Sequence, residues 1–141
     1  MALALAGFAV TAIDLQLDAL RQLRASAAAS GRDVHTICAD LTEFPLPRAR
    51  FHVVVVTRYL DRALFPSLID ALVPGGVLLY ETFTEHQLQY THGPRSRRHL
   101  LAPGELRCAL RGMDVLFDEE VMAPVGLARI AARRRPGPAA L

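Results

Sequence analysis

Gly7-Phe-Ala-Val-Thr-Ala-Ile-Asp14 is an apolar run that ends on an acid, and an amphipathic segment, Leu15 to Ala29, follows it at once. The pattern predicts a strand over Phe8 to Ile13 and then a helix. In that helix Leu17, Leu20, Leu23 and Ala27 recur at helical spacing, while Asp18, Arg21 and Arg24 fall on the wet side. Gly31 closes it. Met1 to Ala6, ended by Gly7 as a left-handed cap, reads as the last turn of an earlier helix. An acid at the carboxyl end of a strand in a nucleotide-binding α/β sheet is placed to accept hydrogen bonds from both ribose hydroxyls. Such folds put a first strand and a glycine-rich loop before it, and residues 1–6 supply neither. The chain is therefore expected to open part-way through the motif.

Outward from this stretch, strand and helix signals alternate. Val34 to Ala39 reads as a strand ending at Asp40, and Leu41 to Arg50, with two prolines, as a loop. His52-Val-Val-Val-Val-Thr57 is a continuous β-branched run of the kind covered on both faces in a parallel sheet. A helix over Ala63 to Leu72, a Pro74-Gly75-Gly76 turn and a buried strand over Val77 to Phe83 come next. The alternation predicts right-handed βαβ units in a doubly wound, mostly parallel α/β sheet. Thr84 to Leu101 has no period, and a loop this long is usually functional or mobile. A helix from Pro103 to Leu110 precedes strands over Met113 to Asp118 and Gly126 to Ala132, expected as an antiparallel hairpin at the sheet edge. Residues 1–133 are expected to form one domain, with 134–141 as a flexible, frayed tail.

Composition narrows the function classes. The 141 residues are about half apolar, which describes a folded globular chain. A formal charge of +2 is too small to argue for nucleic acid, and the absence of Lys carries no functional weight. Met1 to Ile13 lacks the basic start of a signal peptide and runs into Asp14. No apolar run is long enough to span a bilayer, and a cytoplasmic protein is expected. Cys38 and Cys108 match no zinc or redox spacing, and both are expected to be buried free thiols.

The order strand-acid (Val10 to Asp14), strand-Ala-Asp-Leu (Cys38 to Leu41), valine-rich strand (Phe51 to Thr57), Leu-Val-Pro-Gly-Gly-Val-Leu-Leu (Leu72 to Leu79) and closing hairpin resembles a class I S-adenosylmethionine-dependent methyltransferase. Thr57-Arg-Tyr-Leu-Asp61, Glu81-Thr-Phe83 and Leu100 to Leu106 are similar to the small bacterial tellurite-resistance-type methyltransferases. The resemblance covers nearly the whole chain. It implies a Rossmann-like fold with strand order 3-2-1-4-5-7-6, S-adenosylmethionine as cofactor and a small-molecule methyl acceptor. It departs in the first strand and its Gly-x-Gly loop, whose backbone N–H groups approach the methionine part of the cofactor. A shortened reading frame is the favoured account, and weak cofactor binding the expected consequence. The strands Phe8 to Ile13 and His52 to Thr57 are then expected to pair directly, or to leave edges prone to self-association.

The resemblance assigns Asp14, with Leu15, to the ribose and Asp40, with Leu41, to the adenine; the plain alternative for each acid is a turn or helix cap. Thr57, Arg58 and Tyr59 fall beneath the methionine part, and a tyrosine face suits a sulfonium. Asp14, Asp40, Thr57 and Glu81 all end apolar strands and are expected to open on one crevice. A buried Glu81 needs a partner, and Arg58 on the next strand end is the expected one. His86, Tyr90, His92, Arg95, Arg97, Arg98 and His99 form either a substrate lid or a solvated basic loop, with no recognisable metal spacing. No catalytic residue is assigned. Two other readings stay open: a non-catalytic methyltransferase remnant, and a nicotinamide-dependent oxidoreductase.

Overall fold

The computed structural model describes residues 1–137 and divides the chain into two compact units, Met1–Pro45 and Leu46–Leu141. The first contains α1 (Ala2–Leu5), β1 (Val10–Asp14), α2 (Leu17–Ala29) and β2 (Val34–Cys38). β1 and β2 are parallel, with Val10 opposite Val34 and Asp14 opposite Cys38. Gly7 (φ 91) and Gly31 (φ 67) end the two helices in the left-handed region. After each, the next amide reaches back to close the last turn, Phe8 N–H to the Leu3 carbonyl and Arg32 N–H to that of Ala27. This is the helix stop that the sequence predicts. Ala4, Ala27 and Val34 form the buried cluster of this unit, with Val10, Ala12 and Leu23 packed against it.

The second unit contains β3 (Phe51–Thr57), α3 (Phe65–Ala71), β4 (Leu72–Phe83), α4 (Glu105–Ala109), β5 (Asp114–Val121) and β6 (Leu127–Arg133). Its sheet has the order β3-β4-β6-β5, parallel between β3 and β4 and antiparallel elsewhere. That order reproduces the 4-5-7-6 section of the expected arrangement, and the α/β class with its closing hairpin is as predicted. Leu72, Leu78, Leu100, Leu101, Leu106, Leu110 and Leu127 are fully buried here. Each contributes about 1.5–3 kcal/mol of burial.

Several expectations are corrected. Among the described residues the first strand does not pair directly with the valine strand: β1 is laddered to β2 and β3 to β4. Val10 and Ala12 of β1 pack on the Ala4, Ala27 and Val34 cluster, which draws on α1, α2 and β2 of its own unit. The valine strand is not covered on both faces, since Val55 is 45% exposed and its register neighbour Leu79 37%. β3 has β4 as its one ladder partner among the described residues.

Arg134, placed in the frayed tail, is anchored. Its N–H donates to the Gly76 carbonyl (2.8 Å), its carbonyl accepts from Gly75 N–H (3.0 Å), and its guanidinium donates to the carbonyls of Asp70 and Leu72. The Pro74-Gly75-Gly76 stretch expected as a turn lies inside β4, and the backbone continues the β4–β6 pairing one residue past Arg133. Residues 138–141 of the expected tail lie outside the described residues.

Candidate functional site

Two pairs of strand ends carry the candidate residues, one pair in each unit. In the first, the register sets Asp14 opposite Cys38, so Asp40 lies two residues past the neighbouring strand position. Both acids are exposed. Asp14 Oδ1 accepts from the backbone N–H of Gln16 (2.8 Å), which leads into α2. Asp40 Oδ1 accepts from the backbone N–H (2.9 Å) and the hydroxyl (2.7 Å) of Thr42. The Thr42 backbone bond, then its hydroxyl, hold the Asp40 carboxyl below its ordinary value, so it is an ionised acceptor at neutral pH. The turn-forming role weighed for these acids is thus present, and it uses only one oxygen of each. Neither Oδ2 takes a hydrogen bond from the described residues. Leu15 is exposed, and its carbonyl accepts from the Cys38 thiol at 3.5 Å, while Leu41 is half-buried.

In the second unit Thr57 and Glu81 are register partners at the carboxyl ends of β3 and β4. Arg58 adopts φ 54, a left-handed conformation uncommon for a residue with a Cβ. Its N–H donates to the Glu81 carbonyl at 2.8 Å, and its guanidinium lies over the Phe83 ring, 5.2 Å from the centroid. The expected Arg58–Glu81 ion pair is therefore absent. Glu81 pairs instead with Arg129 (2.6 Å), which also reaches Glu119 (3.4 Å). The reason is register: Arg129 on β6 stands directly between Glu81 on β4 and Glu119 on β5. Tyr59 is half-buried, and its carbonyl accepts from the Tyr80 hydroxyl at 2.8 Å. Burial pushes that hydroxyl well above its ordinary value, so it stays a donor.

The aperiodic segment is ordered rather than loose. It holds two 3₁₀ turns, Glu85–Gln89 and Arg97–His99, and Thr84 bridges to Leu101. Gln87, fully buried, clamps it: Nε2 donates to the His92 carbonyl (2.6 Å) and Oε1 accepts from Gly126 N–H (3.0 Å). A Cβ at Gly126 would collide with the backbone of His86 and Gln87, which is why a glycine opens β6. Tyr90 donates to the Met122 carbonyl (2.5 Å), Arg95 to that of Tyr90, and Arg97 pairs with Glu85 (3.0 Å). His86 is half-buried; His92, Arg98 and His99 are exposed. Among the described residues no cluster of His, Cys, Asp or Glu is arranged to hold a metal.

Sequence reading missed Gln87 and the bidentate Arg62–Glu105 pair (2.5 and 3.0 Å) that fastens α4 beside the carbonyls of Arg98 and Leu100. A lone glutamine inside an aperiodic run carries no signal of burial. It also misplaced the thiols, for both cysteines are exposed. Cys38 ends its strand, and at α4 the buried positions belong to Leu106 and to Leu110 just past the helix end.

Residues 1–76 match the family model described as a methyltransferase domain. The chain belongs to that family. No curated protein matches the sequence. The methyltransferase domain superposes on TehB from Haemophilus influenzae with TM-score 0.77 and 16% identity, covering 94% of this chain and 52% of that one. It therefore spans about half the length of TehB. A SAM-dependent methyltransferase from Methanosarcina mazei gives 0.72 at 16% identity, over 96% of this chain and 86% of that one. The [4+2]-cyclase SpnF gives 0.73 at 16% identity, over 92% and 67%. At such identities the likeness establishes the fold, and a cyclase on the same scaffold shows that fold does not fix the reaction. The family match weighs against the nicotinamide reading. Asp14 and Asp40 thus present two exposed carboxylates with open oxygens at or just past the ends of adjacent parallel strands. No helix is long and apolar enough to cross a membrane.

Proposed function

We propose that this domain transfers a methyl group from S-adenosylmethionine to a small-molecule acceptor, in the manner of the tellurite-resistance-type enzymes. The observation that carries the reading is the open oxygen on both Asp14 and Asp40, in a chain whose first 76 residues match a methyltransferase domain. In this reading Asp14 and Leu15 hold the ribose, and Asp40 and Leu41 hold the adenine. The family resemblance assigns Thr57, Arg58 and Tyr59 to the methionine part. S-adenosylmethionine, when bound, brings a methyl group already activated by the sulfonium. The protein's share is then positioning the acceptor in line and keeping water out, which requires no strong acid or base. The likeness to TehB, at 16% identity, supports the fold on which this reading rests.

The test is a titration with S-adenosylhomocysteine, followed by amide shifts so that weak binding is seen. Saturable shifts at residues 14–16 and 39–42, weakened about tenfold in Asp40→Asn, are expected. Shifts that ignore both acids, or unchanged affinity in an Asp14→Asn/Asp40→Asn double variant, would overturn the assignment.

A further inference from the structure

A depression lies at the other end of the second unit's sheet. Across β4, β6 and β5 one end row is Phe83, Leu127 and Val121, beside the candidate strand ends; the opposite row is Val77, Arg133 and Asp114. With about six residue steps of strand separating them, the two rows are about 20 Å apart. The depression opens beyond the second row, with a volume of about 630 Å³, and is lined by Arg107, Cys108, Arg111, Met113, Asp114, Val115 and Arg135. Nothing in the proposed methyl transfer uses it.

Its charge is one-sided. Three arginines line it against a single acid, Asp114, and that acid already takes the Nε of Arg135 at 2.7 Å. Arg107 is held by Asp118 through NH1 (2.9 Å). Arg111 has no acidic partner among the described residues: its Nε donates to the Cys108 carbonyl (3.2 Å), which fixes the stem and leaves both terminal nitrogens as donors. Buried Met113 and half-buried Val115 supply an apolar floor. A forked, anchored guanidinium above an apolar floor matches an oxyanion carried on an apolar body. We propose that this depression binds small aryl or acyl phosphates or carboxylates, with Arg111 and Arg135 as the gripping residues and Met113 and Val115 beneath the apolar part.

The two cysteines make the test internal. Cys108 lines the depression, Cys38 lies in the other unit, and both are exposed. Alkylation of each by iodoacetamide is followed by peptide mass spectrometry with phenyl phosphate added up to about 10 mM, and with phenol and inorganic phosphate as separate arms. Phenyl phosphate is expected to slow Cys108 alkylation saturably while leaving Cys38 unchanged, and to act at lower concentration than either control. Arg111→Gln should raise the half-protecting concentration about tenfold, and Arg111→Lys should recover part of it. No protection of Cys108, equal slowing at both cysteines, equal protection by phenol, or an Arg111→Gln profile like the parent would each overturn the site.

Discussion

The two units are held together by different means. In the first, the buried side chains are Ala4, Leu20, Ala27 and Val34, mostly small, and α2 lies over a two-stranded sheet. In the second, seven leucines are buried to 1–2% or less, on a four-stranded sheet whose central strand β4 is flanked on both sides. Buried area scales with side-chain size, so the free energy of opening each unit should differ in the same sense. The candidate carboxylates Asp14 and Asp40 therefore belong to the thinner unit, and Thr57 and Glu81 to the deeper one. Ligand contacts drawn from an easily opened unit lend themselves to ordering on binding.

The largest effect should come from the deep unit. Leu78, fully buried on β4 between Val54 and Ala132, should cost about 3–4 kcal/mol on Leu78→Ala by urea denaturation. Leu20→Ala on α2 should cost about 2 kcal/mol, because a thin layer collapses more readily onto the lost volume. Equal costs would erase the contrast. A sharper test uses the tyrosines: Tyr59, Tyr80 and Tyr90 all lie in the second unit, and the chain has no Trp. Tyrosine fluorescence then reports that unit alone, whereas far-UV circular dichroism also follows α2, at 13 residues the longest helix. The dichroism transition should begin at lower urea. Coincident transitions would mean the units unfold together.

The same contrast explains what was legible in the sequence. Elements that follow from local pattern came through: α2, its Gly31 stop, the strand-end acids and the closing hairpin all rest on neighbouring residues. What depends on pairing between distant strands did not. Arg129 stands beside Glu81 only because β6 runs antiparallel to β4 in that register, and a one-residue slip would have sent it to the other face. The direct pairing expected for β1 failed likewise, since a strand's partner is chosen by packing that no short run of residues displays. Asp14 ends its strand as expected, while Asp40 falls two residues past Cys38, and their bonds to Gln16 and Thr42 give both acids the turn-forming role that short-range pattern cannot separate from a ligand role.

An electrostatic clamp adds a smaller term to the deep unit. Glu105 accepts two bonds from Arg62 and one from Ala102 N–H, and the Arg62 pairing holds its carboxyl below the ordinary 4.5. A carboxyl depressed in the folded state stabilises fully above its unfolded value and loses that contribution as pH falls through the folded one. Glu105→Gln should therefore cost about 1 kcal/mol at pH 7, discounted for the half-exposed Arg62. The variant should also lose less stability than the parent on acidification below about pH 4.5. A constant difference from pH 7 to 3 would show that the charge on Glu105 is immaterial.

The smallest effect concerns a flaw inside the deep unit. Thr84 is fully buried, and its Oγ1 has no hydrogen-bond partner among the described residues. Its backbone is well used, N–H donating to the Gly126 carbonyl at 3.0 Å, so the residue is held in place by the chain rather than by its hydroxyl. An unmade buried bond costs about 1–3 kcal/mol, and Val replaces the hydroxyl with a methyl of similar size. Thr84→Val should accordingly be neutral to about 1 kcal/mol stabilising, with the tyrosine transition moving to slightly higher urea and the dichroism of α2 unchanged. Destabilisation by more than about 1 kcal/mol would mean that the hydroxyl holds a buried water. The deep unit would then depend on a polar contact as well as on its leucines.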